Sequence, residues 1–179
     1  MHPLAHLKTI NHHRWLVCKS CFRLGLYWQG LTHDLSKYHP REFWVGAKYY
    51  QGYRSPNDAE RQDTGVSTAW LRHKGRNRHH LEYWIDYSPM KEQGMVGMEM
   101  PPRYVAEMFC DRIAACKTYH GESYSPGDPY DFFVRSKPRI IFNAHSAALL
   151  EQMMLVLRDE GEDAAYAWIR REVLHNAKK

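Results

Sequence analysis

Nothing in this 179-residue chain alternates apolar and polar residues with a period of two over a useful length. That absence constrains the fold more than any single motif, because a core without half-buried strands has to be built from helices packed on one another. The apolar positions recur at helical spacing instead: Leu7, Ile10, Val17 and Leu24 make a stripe in a first segment over 4–27, whose end Gly25 and Gly30 weaken. A short second segment over 30–38 stops at His39-Pro40, since the residue before a proline avoids the helical region. Pro40 then suits the first turn of a third helix, REFWVGAKYYQG. The polar stretch 52–64 reads as a loop and 65–86 as a fourth helix. The run SPMKEQGMVGMEMPP reads as a long loop, either a mobile lid or a connector packed by its methionines. A fifth helix starts at Pro101-Pro102 and runs to about 119. After the turn-rich GESYSPGDP come one or two helices near 139–159 and a last one near 162–176, separated by Gly161. The expectation is all-α: one domain over 1–179, a compact bundle of five to eight helices with its core at about 10–150 and the helices of 139–176 packed on it.

Composition narrows the class further. With 44% apolar and 25% charged residues the chain is globular, not largely disordered. No apolar run approaches the ~20 residues of a membrane span. The start, MHPLAHLKTINHH, shows no apolar stretch behind a basic end, so a secretory leader is not expected and a cytoplasmic location is. Cys18, Cys21, Cys110 and Cys116 then read as free thiols. Cys18 and Cys21 form C-x-x-C, but inside an apparent helix without the turn residues of a zinc knuckle; a zinc or redox site is the alternative. Twelve histidines and a net charge of +5 suggest anionic partners: a nucleotide, another small phosphorylated substrate, or nucleic acid.

The chemistry concentrates in a few segments. His33 and Asp34 are adjacent in GLTHDLSK, and an imidazole with a carboxylate suits Mn, Fe, Co, Ni or Zn. On a helix two neighbours project about 100° apart, yet they converge if the axis runs beside an ion; a surface dyad is the other reading. His13 lies near the face of Val17, as a ligand or as a core histidine bonded to backbone, while His12 points away. Asp111 shares a helical face with Tyr104, Met108, Ala114 and Ala115. A carboxylate on such a face needs a metal or a partner such as Arg14. In WLRHKGRNRHHLEYW, a continuous helix puts His73, Asn77, His80 and Trp84 on one face and His79 elsewhere, unless Gly75 breaks it. Arg72, Lys74, Arg76 and Arg78 supply a positive field or a solvated basic face.

The order His, His-Asp, His with His-His, then Asp, on a helical chain, resembles the HD-domain superfamily of metal-dependent phosphohydrolases. The segments HRWLV, GLTHDLSK, HKGRNRHHLEYW and EMFCDR resemble more closely a small HD-like family of bacterial and phage proteins classed as a domain of unknown function, over roughly residues 10–150 and including a late His145. The resemblance implies a helical core with one or two divalent transition-metal ions. His13, His33, Asp34 and Asp111 would hold the first ion, and His73 with His79 or His80 the second, with Asp34 shared. It also implies hydrolysis of a nucleotide or other small phosphoester by a metal-activated water. Lys37, one turn after His33, would contact phosphate or orient the ligand Asp; Asn77 would bond substrate or a ligand histidine; Glu82, Asp86 and Glu107 are candidates to orient imidazole N–H groups. The 20-residue interval between His13 and His33 is shorter than in many superfamily members, and no Gly-Tyr-Pro follows the paired histidines. Substrate identity therefore does not carry over. A di-iron oxygenase on the same framework and a non-catalytic, metal-stabilised binding module are the alternatives.

Overall fold

The computed structural model describes residues 1–175. Among them the chain forms eight α-helices and one two-stranded hairpin, so the all-α expectation is met at its upper helix count. The helices are α1 (Pro3–Arg23), α2 (Tyr27–Thr32), α3 (Pro40–Tyr49), α4 (Pro56–Thr64), α5 (Thr68–Lys74), α6 (Pro102–His120), α7 (Asp128–Ser136) and α8 (Ala144–Trp168). Five of them, α1, α3, α4, α6 and α7, carry proline at one of their first two positions. There the missing N–H removes no helical bond and the ring presets φ. No helix among the described residues is long and apolar enough to cross a membrane.

Helix α6 is central. Its residues Val105, Ala106, Phe109, Cys110, Ile113 and Ala114 are buried, and α1, α7 and α8 pack against it. The apolar core joins Val17, Cys21 and Leu24 of α1 to Phe109 and Ile113 of α6 and to Leu150, Met153 and Leu157 of α8. Along α1 the buried stripe is His6, Ile10, His13, Val17 and Cys21, apolar toward its C-terminal end and histidine-bearing toward its N-terminal end. The second half of the molecule forms around that polar end: α3 packs on α1, and α4 and α5 pack on α3. The start of α5 is fixed by two caps. The Ser67 hydroxyl accepts from Trp70 N–H at 3.1 Å, and the buried Glu60 of α4 accepts from Thr68 N–H at 3.0 Å and from the Ser67 hydroxyl at 2.6 Å.

The segment boundaries depart from the expectations in five places. The first segment ends at Arg23, and Gly25, at φ +74°, separates it from α2. The polar stretch 52–64 contains α4; it buries only Ala59 and Glu60, too little for an apolar stripe, although Ser55 caps it and the left-handed Gly65 ends it. Helix α5 stops at Lys74 because Gly75 lets the chain leave the helix, and Ile85–Tyr87 (β1) is a strand, not helix. The expected loop 88–102 holds its partner, Met95–Gly97 (β2), paired antiparallel in the register Ile85↔Gly97. Three-residue strands are too short to show a period of two. Helix α7 was hidden behind the turn-rich stretch before it. At Gly161, with φ +85° and ψ 178°, α8 is interrupted at the residue expected to separate two helices; residue 176, the end of the last expected segment, lies outside the described residues.

Of the two readings of the segment 88–102, the contacts at its C-terminal end fit the connector. The Asn143 side-chain amide donates to Gly97 O, Met98 N–H to Trp84 O at 2.7 Å, and Met100 N–H to the Ser146 hydroxyl at 2.9 Å. The C-terminal end of the segment is thus pinned to the start of α8, with Met100 buried beneath it. A Cβ at Gly97 would stand 2.5 Å from Asn143 N and 2.9 Å from Phe142 C, both backbone atoms that cannot step aside. Gly97→Ala should therefore destabilise the protein by about 1–3 kcal/mol, the usual cost of overpacking. Urea unfolding checks this, and a midpoint equal to the parent's would show that the hairpin is loosely held.

Candidate metal centre

The His33-Asp34 corner builds the centre. α2 ends at Thr32; His33 is extended (φ −49°, ψ 127°) and Asp34 is left-handed (φ 54°, ψ 23°), alone in that region among the described non-glycine residues. Aspartate tolerates this conformation at a cost of about 1–2 kcal/mol. Because of the corner, the two side chains turn into one chamber instead of diverging on a helix. Arg14 of α1 locks it, donating from Nε to His33 O at 2.7 Å and from Nη2 to Leu31 O at 3.1 Å. Arg14 is thus a backbone clamp at the end of α2 and not the partner of Asp111.

Seven side chains meet in the chamber. Asp34 is 1% exposed and faces both halves. Its Oδ1 lies 3.2 Å from His73 Nε2 and 3.3 Å from His79 Nε2, with His80 completing that group. Its Oδ2 lies 3.4 Å from His33 Nε2 and 3.8 Å from His13 Nε2, and Asp111 Oδ1 stands 3.0 Å from His13 Nε2 and 3.5 Å from His33 Nε2. Each half offers four ligand atoms within 4.8 Å of one another. Five of these atoms are buried without a hydrogen-bond partner: Nε2 of His13, His33, His79 and His80, and Oδ1 of Asp34, whose Oδ2 is met by the Lys37 ammonium. Buried polar atoms left so cost roughly 1–3 kcal/mol each, and these five face one another. Ligands at about 2.1 Å from one ion stand about 3.0 Å apart at right angles and about 3.4 Å apart in a tetrahedron. The separations observed here match such edges, so the donor set fits divalent transition-metal ions.

The outer nitrogens are committed. Glu107 Oε1 accepts from His33 Nδ1 at 3.0 Å and from His79 Nδ1 at 3.1 Å. Glu42 Oε2 accepts from His73 Nδ1 at 3.0 Å, and Glu42 is itself paired with Arg72 and bonded by the Ser36 hydroxyl at 2.9 Å. Carboxylates on Nδ1 fix the tautomer that leaves Nε2 for an ion. Asn77 belongs to this outer layer: its amide donates to His73 O at 2.8 Å and to the Ser36 hydroxyl at 2.9 Å. Of the two roles expected of Asn77, these contacts fit the one beside a histidine. Glu107 fills the orienting role foreseen for it. Asp86 is exposed on β1 and Glu82 is half-buried by Arg112, so neither orients an imidazole. Glu42 was missed. Its only signal was a carboxylate eight residues after Asp34 in an amphipathic segment.

Charge is distributed unevenly. Burial disfavours the His33 imidazolium, but Asp34, then Asp111 and Glu107, outweigh it and push the ring up to about 10. Burial would raise Asp34, yet His33 and Lys37 hold it well below the carboxylate range. His13 and His80 are lowered, chiefly by burial. Lys37 Nζ sits 2.5 Å from Asp34 Oδ2 with its side chain 31% exposed, and Asp111 is 17% exposed; these two mark the open side.

The histidine cluster resolves as Gly75 allows: the helix ends, and both His79 and His80 turn inward beside His73. All seven expected ligands, His13, His33, Asp34, His73, His79, His80 and Asp111, come together. His12 is exposed. His145 is on the surface, 2.7 Å from Glu99 and outside the centre. The four cysteines are free.

Two outcomes are expected. With His73 and His79 on one side of Asp34 and His13 and His33 on the other, the protein should bind two equivalents of metal, and His73→Ala should retain one. Elemental analysis after exhaustive dialysis checks the count. Metal must also displace the proton from His33, whose pKa lies above neutrality. Apparent affinity should therefore rise about tenfold per pH unit between about 6 and 8, and Glu107→Gln should weaken it about 10–100-fold with the fold intact. Competition with a chelating dye at several pH values measures both.

The profile of a family described as a family of unknown function, DUF5662, matches residues 2–156, a span that contains every residue of the centre. No curated protein and no solved structure matches the chain. The chain belongs to the DUF5662 family.

Proposed function

We propose that the protein is an HD-type, metal-dependent phosphohydrolase acting on a nucleotide or another small phosphoester. The observation that carries the reading is the pairing of a cluster of buried, mutually facing imidazole and carboxylate atoms with the Lys37 ammonium on its open side. Divalent ions held by the seven ligands would neutralise charge on a phosphoryl group and bring a water's pKa toward neutrality.

The chain's own residues support that chemistry by position. Lys37 stays charged, because Asp34, with Asp111, outweighs the burial that lowers it. It therefore acts as a fixed positive charge for phosphoryl oxygens and not as a proton donor. Ser36, the nearest hydroxyl in sequence, donates to Glu42 behind His73 and is not available as a nucleophile. Asp111, partly exposed at the same opening, would stay an ionised ligand, since the His13 and His33 imidazoles outweigh burial and hold it well below the carboxylate range.

The test joins metal analysis to a panel of phosphomono- and phosphodiesters with Mn, Fe, Co, Ni and Zn. Asp34→Asn should abolish tight metal binding and turnover together while circular dichroism stays helical. Lys37→Ala should keep the metal and lower turnover about 10²–10³-fold, the usual worth of one group stabilising transition-state charge. A metal-loaded protein that turns over no phosphoester would make this a binding module. Iron retention with oxygen consumption would move the centre to oxidative chemistry.

A further inference from the structure

Beside the metal centre, the turn that delivers His79 meets the start of α6 in an exposed cluster of arginines and aromatic rings. Arg78, the residue before His79, donates from Nη1 to the Tyr104 hydroxyl at 3.2 Å. Its guanidinium lies 5.8 Å from the Tyr83 ring and 5.9 Å from the Tyr104 ring. Arg103 covers Tyr104 at 4.9 Å. Trp84 links the rings, 5.4 Å from Tyr83 and 5.9 Å from Tyr104, and its indole N–H donates to Arg78 O at 2.8 Å. Arg78 and Arg103 are exposed, and Tyr83 is 38% exposed.

These cations lack counter-charges. Glu42 neutralises Arg72, but among the described residues no carboxylate pairs with Lys74, Arg76, Arg78 or Arg103. Arg76, two residues before Arg78, lines a separate groove with Arg41 and Arg72. Trp84 and Tyr104 are half-buried against the core, and Tyr83 is the ring left open among the guanidinium groups, which a solvated basic face does not require.

We infer that this strip binds single-stranded nucleic acid. Backbone phosphates match a row of unpaired arginines, and unstacked bases match aromatic faces, which are sequence-tolerant platforms. A duplex hides its base faces, and the cluster, built from a turn and the first residues of a packed helix, offers no element that enters a groove. An acidic peptide would satisfy the arginines and leave the rings without a role. The inference rests on this surface and not on the hydrolase reading, so binding is read separately from turnover.

Fluorescence anisotropy with a labelled oligothymidylate of about 12 nucleotides tests it. The protein should bind at about 50 mM salt and weaken steeply toward about 200 mM. Arg78→Gln with Arg103→Gln, both on the surface, should lower affinity at least tenfold and flatten the salt dependence. Tyr83→Leu, which keeps the charge, should weaken oligothymidylate about fivefold or more and leave heparin binding unchanged. Asp34→Asn should bind like the parent, separating the strip from the metal centre. No binding at low salt, parent-like affinity of the double arginine variant, tighter binding of a duplex of the same length, or equal loss of heparin binding in Tyr83→Leu would overturn the inference.

Discussion

A single buried carboxylate organises the molecule. Asp34 is 1% exposed, carries its charge among imidazoles, and is reached by α1, α5, α6 and the turn that precedes α3. A carboxylate taken out of water is costly unless positive charge accompanies it. Here that charge comes from His33 and from Lys37. The left-handed backbone at Asp34 follows from the same requirement. Only a sharp corner lets two consecutive side chains enter one chamber, and the Arg14 clamp on the end of α2 holds that corner in place.

Around this carboxylate the support is shared, not repeated. One oxygen of Glu107 accepts from rings on opposite sides of Asp34, so His33 and His79 cannot reorient independently. Glu107 and Asp111 stand one helical turn apart, so the buried α6 sets an orienting group and a ligand at once. Burial would raise Glu107, yet the two imidazoles lower it to about 2. Its contribution to stability is therefore present above its ordinary pKa, near 4.5, and is lost as pH falls toward 2. On the far side, Glu42 holds His73 and Glu60 holds the start of the helix that carries it. Carboxylates thus fix the ligand geometry from behind without occupying ligand positions.

Much of this was legible in the sequence. Residue type left each of the seven with an ordinary alternative, a core histidine, a surface dyad or a solvated basic face; it was their order along the chain, through its resemblance to HD-type proteins, that joined them into one set. The convergence of His33 with Asp34 was not derivable, because it depends on a left-handed residue that no periodicity encodes. Whether His79 or His80 faces inward was undecided for a similar reason: Gly75 permits a break but does not say where the chain goes next. Helix α4 and the hairpin were lost because each buries too little to leave a pattern, although the caps Ser55 and Gly65 were in plain view. Glu42 was missed because its role comes from packing of α3 against α5, a contact between segments.

Histidine count alone says little about histidine role, and α1 shows why. His6 and His13 lie on the same buried stripe, two turns apart. The Nε2 edge of the His6 ring fills the space over Gly46, where a Cβ would come 2.2 Å from it, and the ring packs beside Phe43 and Tyr50. No carboxylate faces it, and burial, with Lys37 adding to it, lowers its pKa to about 4, so it stays neutral and serves as a packing ring. His13 is as buried but looks onto Asp34 and Asp111. One step further along the stripe, Val17 and Cys21 enter the apolar core with Phe109 and Leu150. The same helix thus passes from packing histidine to ligand histidine to hydrophobic core within four turns. His13 is held toward Asp34 and Asp111 by a helix whose other end is anchored in the apolar core.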